Sequence, residues 1–312
     1  MSLLVATLAI GLIFAVLAVG IFLSFRVYQI PDITADGSFP LGAAIAARCL
    51  KEGWDPASAT AAGMAGGAIA GSITGLVHVR FKVNALLSGI LMMTALYSVN
   101  LRVLGSSNLQ ISGSTVFTPL DAFAQRAFGP SVRIAGYDVP SADLGTLLTC
   151  AIVAAAVGIA LTLFLRTELG AAMRATGENA RMLRALGTST DRMTVLGLAM
   201  SNALVALSGA LFAQMQAFAD AQMGIGVIVL GLASVILGQT LVGPVRSIGL
   251  AVTGAIMGAV LFRLLVALAI RAGLDANDLK LVTAVVVLAA IVGPGWLAGL
   301  RARRGGGSRA PA

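Results

Sequence analysis

Uninterrupted apolar runs of membrane-crossing length recur along this chain, and they restrict its fold before any motif is considered. Leu3 to Phe25 holds no charged residue at all, and Ser141 to Leu165 holds one, Asp143. A run of roughly 20 apolar residues is what a helix needs to cross the hydrocarbon core, where every backbone N–H and C=O must be satisfied within the segment. The chain is 58% hydrophobic and 11% charged with a mean hydropathy of +0.95, which excludes an ordinary soluble domain. Nothing between the runs is long enough to fold as a separate domain. The expectation is an all-α polytopic bundle forming one transmembrane domain over residues 1–300. Its 37 glycines let helices approach closely where no hydrophobic driving force separates protein from lipid.

The spans are expected at Leu3 to Phe25, a broken segment from Tyr28 to about Leu50, Ala57 to Val79, Val83 to about Val103, Ser141 to Leu165, Met193 to about Met215, Val227 to Leu241, Ile248 to Ile270 and Leu279 to Gly293. That is about nine, within a range of eight to ten. Leu3 to Phe25 lacks a basic start and a cleavage site, so it reads as a retained helix. Arg26, Arg80, Lys82, the central loop with Arg166, Arg174, Arg181, Arg184 and Arg192, Arg246 and the tail RARRGGGSRAPA fall on one side if the N-terminus is outside. Excess Lys and Arg beside spans mark the cytoplasmic face, so the net charge of +8 reports topology and not nucleic-acid binding. Residues 301–312 read as a basic, disordered cytoplasmic tail. Gly105 to Pro140, with an amphipathic piece at Pro119 to Phe128, is placed outside.

Two stretches stand apart from this pattern. The first is PDITADGSFPLGAA, where Pro31, Gly37 and Pro40 are expected to interrupt a helix around Asp36. A carboxylate between apolar helices must face protein or a water-filled path, and broken helices in transporters expose backbone at mid-membrane. Thr34, Asp36, Gly37, Ser38 and Phe39 are the candidate solute-path residues, with a local cap by Asp36 on the helix beginning near Ser38 as the alternative. A second interruption, FADAQMGIG, precedes a later span in a similar way and hints at an internal repeat.

The second stretch, Leu165 to Met193, is the long polar segment of the interior. It reads as two short helices broken at Gly177 and stopped at Gly187, with the following helix capped from Thr188 to Asp191 and beginning near Arg192. Small apolar faces on such helices suit docking into a partner's groove.

Enzyme signatures are missing from the sequence. It has no GxxxxGK phosphate loop, no HExxH, no GxSxG, and a single His, His78. Cys49 and Cys150 read as buried small residues. Gln214, Gln216 and Gln239 read as joining helices. The chain is thus expected not to be an enzyme and to hold no cofactor or metal.

PDITADGSFPLGAAIAA, AAMRATGENARMLRALGTSTDRM and MGIGVIVLGLASVILGQTLVG, in that order, resemble the membrane subunits of ABC importers of the branched-chain amino acid and ribose permease class. The first of these is most similar to the subgroup linked to tryptophan, tyrosine or related small solutes. The resemblance spans nearly the whole chain, although larger members have more spans in the last half. It implies a bacterial inner-membrane permease working as two copies, with separate ATPase subunits that bind ATP and an extracytoplasmic solute-binding protein. It further implies that Gly177 to Gly187 is the coupling helix of a 166–192 loop, with Arg174, Gly177, Glu178, Arg181, Met182, Leu183, Leu186 and Gly187 at the ATPase contact. Met182, Leu183 and Leu186 would supply its apolar part. An ion-coupled secondary transporter or a non-transporting membrane scaffold is the alternative.

Overall fold

The computed structural model describes residues 2–134, 137–243, 247–272 and positions 281, 283–285, 287 and 288. The expected Arg246 turn, most of the Leu279 to Gly293 span and the 301–312 tail lie outside the described residues. The first helix, α1 (Ser2–Phe22), runs into a π-turn at Leu23–Val27. The backbone then unwinds through Tyr28 to Thr34, where Pro31 cannot donate an N–H and disfavours helix in the residue before it. Helix α2 (Ala35–Lys51) follows. The interruption is therefore confined to the Pro31 side, because Gly37 and Pro40 sit inside α2. Pro40 leaves the Asp36 carbonyl without its helical donor, and Gly224 packs against that oxygen where a Cβ would overlap it.

Helix α3 (Pro56–Phe81) begins at an Asp-Pro pair: Asp55 accepts from the Ala57 N–H at 3.0 Å and Pro56 takes a first-turn position that needs no donor. Asn84 caps α4 (Ala85–Leu104) in the same way. The chain then crosses as α6 (Ser141–Arg166), α8 (Thr190–Gln216), the shorter α9 (Val227–Val242) and α10 (Ile248–Arg271), numbered to leave α5 (Thr118–Phe128) and α7 (Glu168–Ala185) for the segments beyond the spans. Among the described residues six helices are long and apolar enough to cross a membrane: α1 with its π-turn, α3, α4, α6, α8 and α10. Helix α9 is apolar but shorter, and it meets α2, which has 17 residues and is not among the six.

At the centre are α1 and α8, with 72% and 61% of their most apolar stretches buried against 22% for α4. Small residues bring the other helices onto α8. Gly42 of α2 lies on the Ala206 backbone, Gly67 and Gly71 of α3 lie on Asn202 and Leu198, and Gly209 lies on the Phe39 carbonyl. Phe14, Phe39 and Phe212 stack between α1, α2 and α8 with ring centroids 5.3–6.2 Å apart.

The ends of α4 and α8 share one side, where β1 (Asn108–Gln110) pairs antiparallel with β4 (Phe218–Asp220). The amphipathic α5 and a hairpin of β2 (Ser131–Ile134) and β3 (Tyr137–Pro140) lie on that side too. On the other side are the α3–α4 turn and α7. The break in α7 falls at Asn179 (φ −153°, ψ 82°) and not at Gly177 as the sequence suggested. Asn179 is itself the reason, since its Oδ1 accepts from the Met182 N–H at 3.0 Å and restarts the helix as a cap. Gly187, at φ +84°, ends it. Helix α8 starts at Thr190, two residues before the expected Arg192, and its Ser189 side chain makes no capping bond.

Candidate functional site

The two sequence interruptions come together. Asp36 Oδ1 accepts from the Ile228 N–H at 2.8 Å and Oδ2 accepts from the Gly226 N–H at 3.1 Å, so a residue of α2 caps α9 from outside. Gly226 is in the left-handed region (φ +86°) and brings no capping side chain of its own. The N-termini of α2 and α9 thus point at one place. Four orphan N–H groups at each helix start make such a place positive, and one half-buried carboxylate offsets it. Both Asp36 oxygens bond the start of α9 and neither bonds its own helix, which sets aside the local cap as its role.

Beside this junction lies a buried polar network that joins Thr34 and Ser38 to Asp32, Thr74 and Asn202, which the sequence did not single out. Asp32 accepts from the Thr34 N–H at 3.0 Å and from the Asn202 side-chain amide at 2.6 Å, and Ser38 donates to Asn202 Oδ1 at 2.8 Å. The Thr34 and Thr74 hydroxyls bond at 2.9 Å, and the Asn100 amide donates to the Gly37 carbonyl at 3.2 Å. All of these side chains are buried. The network pins the unwound segment to α3, α4 and α8. Of the five residues expected on a solute path, Thr34, Gly37, Ser38 and Phe39 are therefore interior to a single copy, and Phe39 belongs to the aromatic core. Only Asp36 retains exposure. Asn202 was detectable as a lone amide in the middle of an apolar span.

Helix α7 is anchored at one end and open at the other. Gly170, Met173 and Thr176 in the first part of α7 are buried, and a Cβ on Gly177 would overlap the Val27 carbonyl of the π-turn. Tyr28 locks the same corner: its ring lies on Gly197 and its hydroxyl donates to the Met193 carbonyl at 2.6 Å. Arg174 is half-buried there, with Nε lacking a hydrogen-bond partner among the described residues. Beyond Asn179, Met182 is 52% and Leu186 72% exposed, whereas Leu183 is only 7% exposed. Glu178 and Arg181 are exposed as well. One expectation changes accordingly: Leu183 faces its own chain, so it is not part of an outward apolar face. The first part of α7 is packed into the bundle.

The remaining polar candidates join elements. His78 Nδ1 lies 2.7 Å from the Val83 carbonyl across the α3–α4 turn. Gln214 accepts from the Val116 N–H at 3.0 Å and donates to the Thr60 hydroxyl at 2.7 Å. In α5, outside the spans, burial pushes the Asp121 carboxyl above the usual range against the bond from Thr146, with Asp143 adding to the rise. Cys49 and Cys150 are free, and no group of three or more metal-ligating side chains occurs among the described residues.

Residues 3–292 match the family described as branched-chain amino acid transport system / permease component. A tyrosine transport system permease protein of Clostridioides difficile is 37% identical over 289 residues, covering 93% of this chain and 90% of that one. An uncharacterised protein of Rickettsia prowazekii is 30% identical over 291 residues, covering 92% and 96%.

Proposed function

Because the chain belongs to the branched-chain amino acid transport system permease family, we propose that it is the membrane-spanning subunit of an ABC importer that carries an amino acid or a related small solute. It is a multi-pass membrane protein of the bacterial inner membrane, and the name of the Clostridioides difficile relative points to tyrosine-like solutes. Two copies would form the path, an extracytoplasmic binding protein would deliver the solute, and separate ATPase subunits would bind ATP, for which this sequence has no phosphate loop.

The observation that carries the reading is the asymmetry of α7. Its first part is wedged against the π-turn and α8, while its second part leaves Met182 and Leu186 exposed. Exposed apolar side chains on an anchored helix are suited to a protein groove, and force on them would pass through Gly177 and Tyr28 to the start of α2. An ion-coupled mechanism finds less support, since both intramembrane carboxylates near the junction, Asp32 and Asp36, already have their oxygens occupied by donors of the chain.

The test is co-purification of the cognate ATPase with Met182→Ala, Leu186→Ala and the double variant, alongside solute uptake in proteoliposomes. Truncating a buried interface anchor costs about 2 kcal/mol, or roughly 30-fold in affinity. The double variant should release the ATPase. Leu183→Ala should instead lower the thermal stability of the permease itself. Full retention and normal uptake in the double variant would reduce α7 to a connector.

A further inference from the structure

Arg263 is the sixteenth residue of the 24-residue α10, which places it about 12 Å, at 1.5 Å per residue, below the Arg271 end of the span. Its guanidinium carbon lies 5.8 Å from the centre of the Phe14 ring, and Phe14 is itself the thirteenth residue of α1. This cation therefore lies well inside the span, away from its ends. Neither ion pair found among the described residues involves it; those are Arg48 with Glu52 and Arg133 with Asp138. Instead it borders a cavity of about 500 Å³ between the first half of α1 and the second half of α10, walled by Leu4, Ile10, Val266 and Ile270, with Arg271 at the end of the span. An arginine at this depth is costly in lipid, and the face of one aromatic ring compensates only part of that cost. Arginines inside spans mark a path or an anionic ligand.

We propose that this cavity is a solute subsite in which Arg263 receives the carboxylate of the transported compound. The inference rests on the reading of the chain as a permease for an amino acid or a related acid. The guanidinium fork matches a carboxylate with two parallel N–H donors, and the aliphatic walls accept an apolar or aromatic side chain. Among the described residues no carboxylate lines the cavity. The class of ligand is a small carboxylic acid with an apolar body, amino acids included. A phospholipid headgroup sits at the level of the span ends, which matches Arg271 and lies a further 12 Å or so from the level of Arg263.

The experiment uses the assembled transporter. Thermal unfolding is followed with 3-(4-hydroxyphenyl)propanoate or with tyramine, and uptake of labelled tyrosine is measured in proteoliposomes of zwitterionic lipid with or without anionic lipid. The acid should stabilise the wild-type complex and compete with uptake, and the amine should do neither. Arg263→Gln should raise the KM for tyrosine about tenfold or more and abolish the effect of the acid, with Arg263→Lys intermediate. Ala267→Phe, which fills the cavity and leaves Arg263 in place, should act like Arg263→Gln, and Arg271→Gln should matter little. A wild-type complex that no carboxylate stabilises, or an Arg263→Gln complex that keeps both stabilisation and KM, overturns the subsite. So does an effect of Arg263→Gln that appears only with anionic lipid, which would mark a lipid site. Should Arg263→Gln fail to assemble, full uptake and full stabilisation in Ala267→Phe overturn it equally. Stabilisation by the acid without tyrosine uptake supports the subsite and removes tyrosine-like solutes from the proposed function.

Discussion

Replacing Asp36 separates a role in holding α9 from a role in touching solute. Its carboxylate accepts two backbone N–H groups, from Gly226 at 3.1 Å and Ile228 at 2.8 Å, at the start of a helix whose own capping position is a glycine. Asn at position 36 offers one acceptor oxygen, and its amide would face the second N–H donor to donor. One charge-assisted bond is lost, worth about 1.5–3 kcal/mol, so local opening of the first turn of α9 should become about 10- to 150-fold more frequent. Ala at position 36 loses both bonds and the charge near the helix end, and the effect should exceed that of Asn. The assay is amide hydrogen exchange on the detergent-solubilised protein, resolved to the peptide that contains residues 224–230, with thermal unfolding in parallel. Exchange should rise there and stay unchanged in α6, whose contacts do not involve the junction. Unaltered exchange in Asp36→Ala, with a normal melting temperature, would refute the cap as the reason for the residue. Lost uptake in the same variant would then return Asp36 to the solute path.

Two further changes test the packing that supports the junction. Asn202→Leu keeps the approximate volume but strips partners from Asp32 and Ser38 in the interior, so the melting temperature should fall by the equivalent of about 3 kcal/mol or more, and an unchanged value would contradict the network. Gly209→Ala places a methyl group on the Phe39 carbonyl and should destroy the monodisperse peak in size exclusion, whereas Gly249→Ala, whose methyl would find its nearest neighbour at 3.4 Å, should leave it intact.

Much of this architecture could be read from hydropathy, and the failures have specific causes. The helices α3, α4, α6, α8 and α10 fall within a few residues of their expected limits because span length is set by the bilayer and their ends are marked by Asp-Pro, Asn and Gly. Local propensity misplaced the break in α7: Gly177 resembles a helix breaker, but its lack of a side chain serves contact with Val27, and the break belongs to an Asn that bonds ahead to Met182. Leu183 could not be separated from Met182 and Leu186 by composition, since only the docked orientation of α7 decides which of three apolar neighbours turns inward. The partners of Asp36 and Asp32 lie 192 and 170 residues away, beyond the reach of any local pattern. Arg263 was visible as a lone charge in an apolar run, and its meaning waited on the cavity beside it.

Those long separations set an order of events during synthesis. At about 5–20 residues per second, the Ile228 N–H emerges roughly 10 to 40 s after Asp36, and Asn202 emerges roughly 9 to 34 s after Asp32. Through that interval α2 carries two carboxylates at or near its start with no distant partner, next to a backbone that Pro31 and Pro40 leave short of donors. A segment in that condition cannot rest in hydrocarbon on its own. Its final seat is made by α8 and α9, so the second element of the chain to be translated is among the last to settle, and truncation before residue 228 should strand it at the membrane surface.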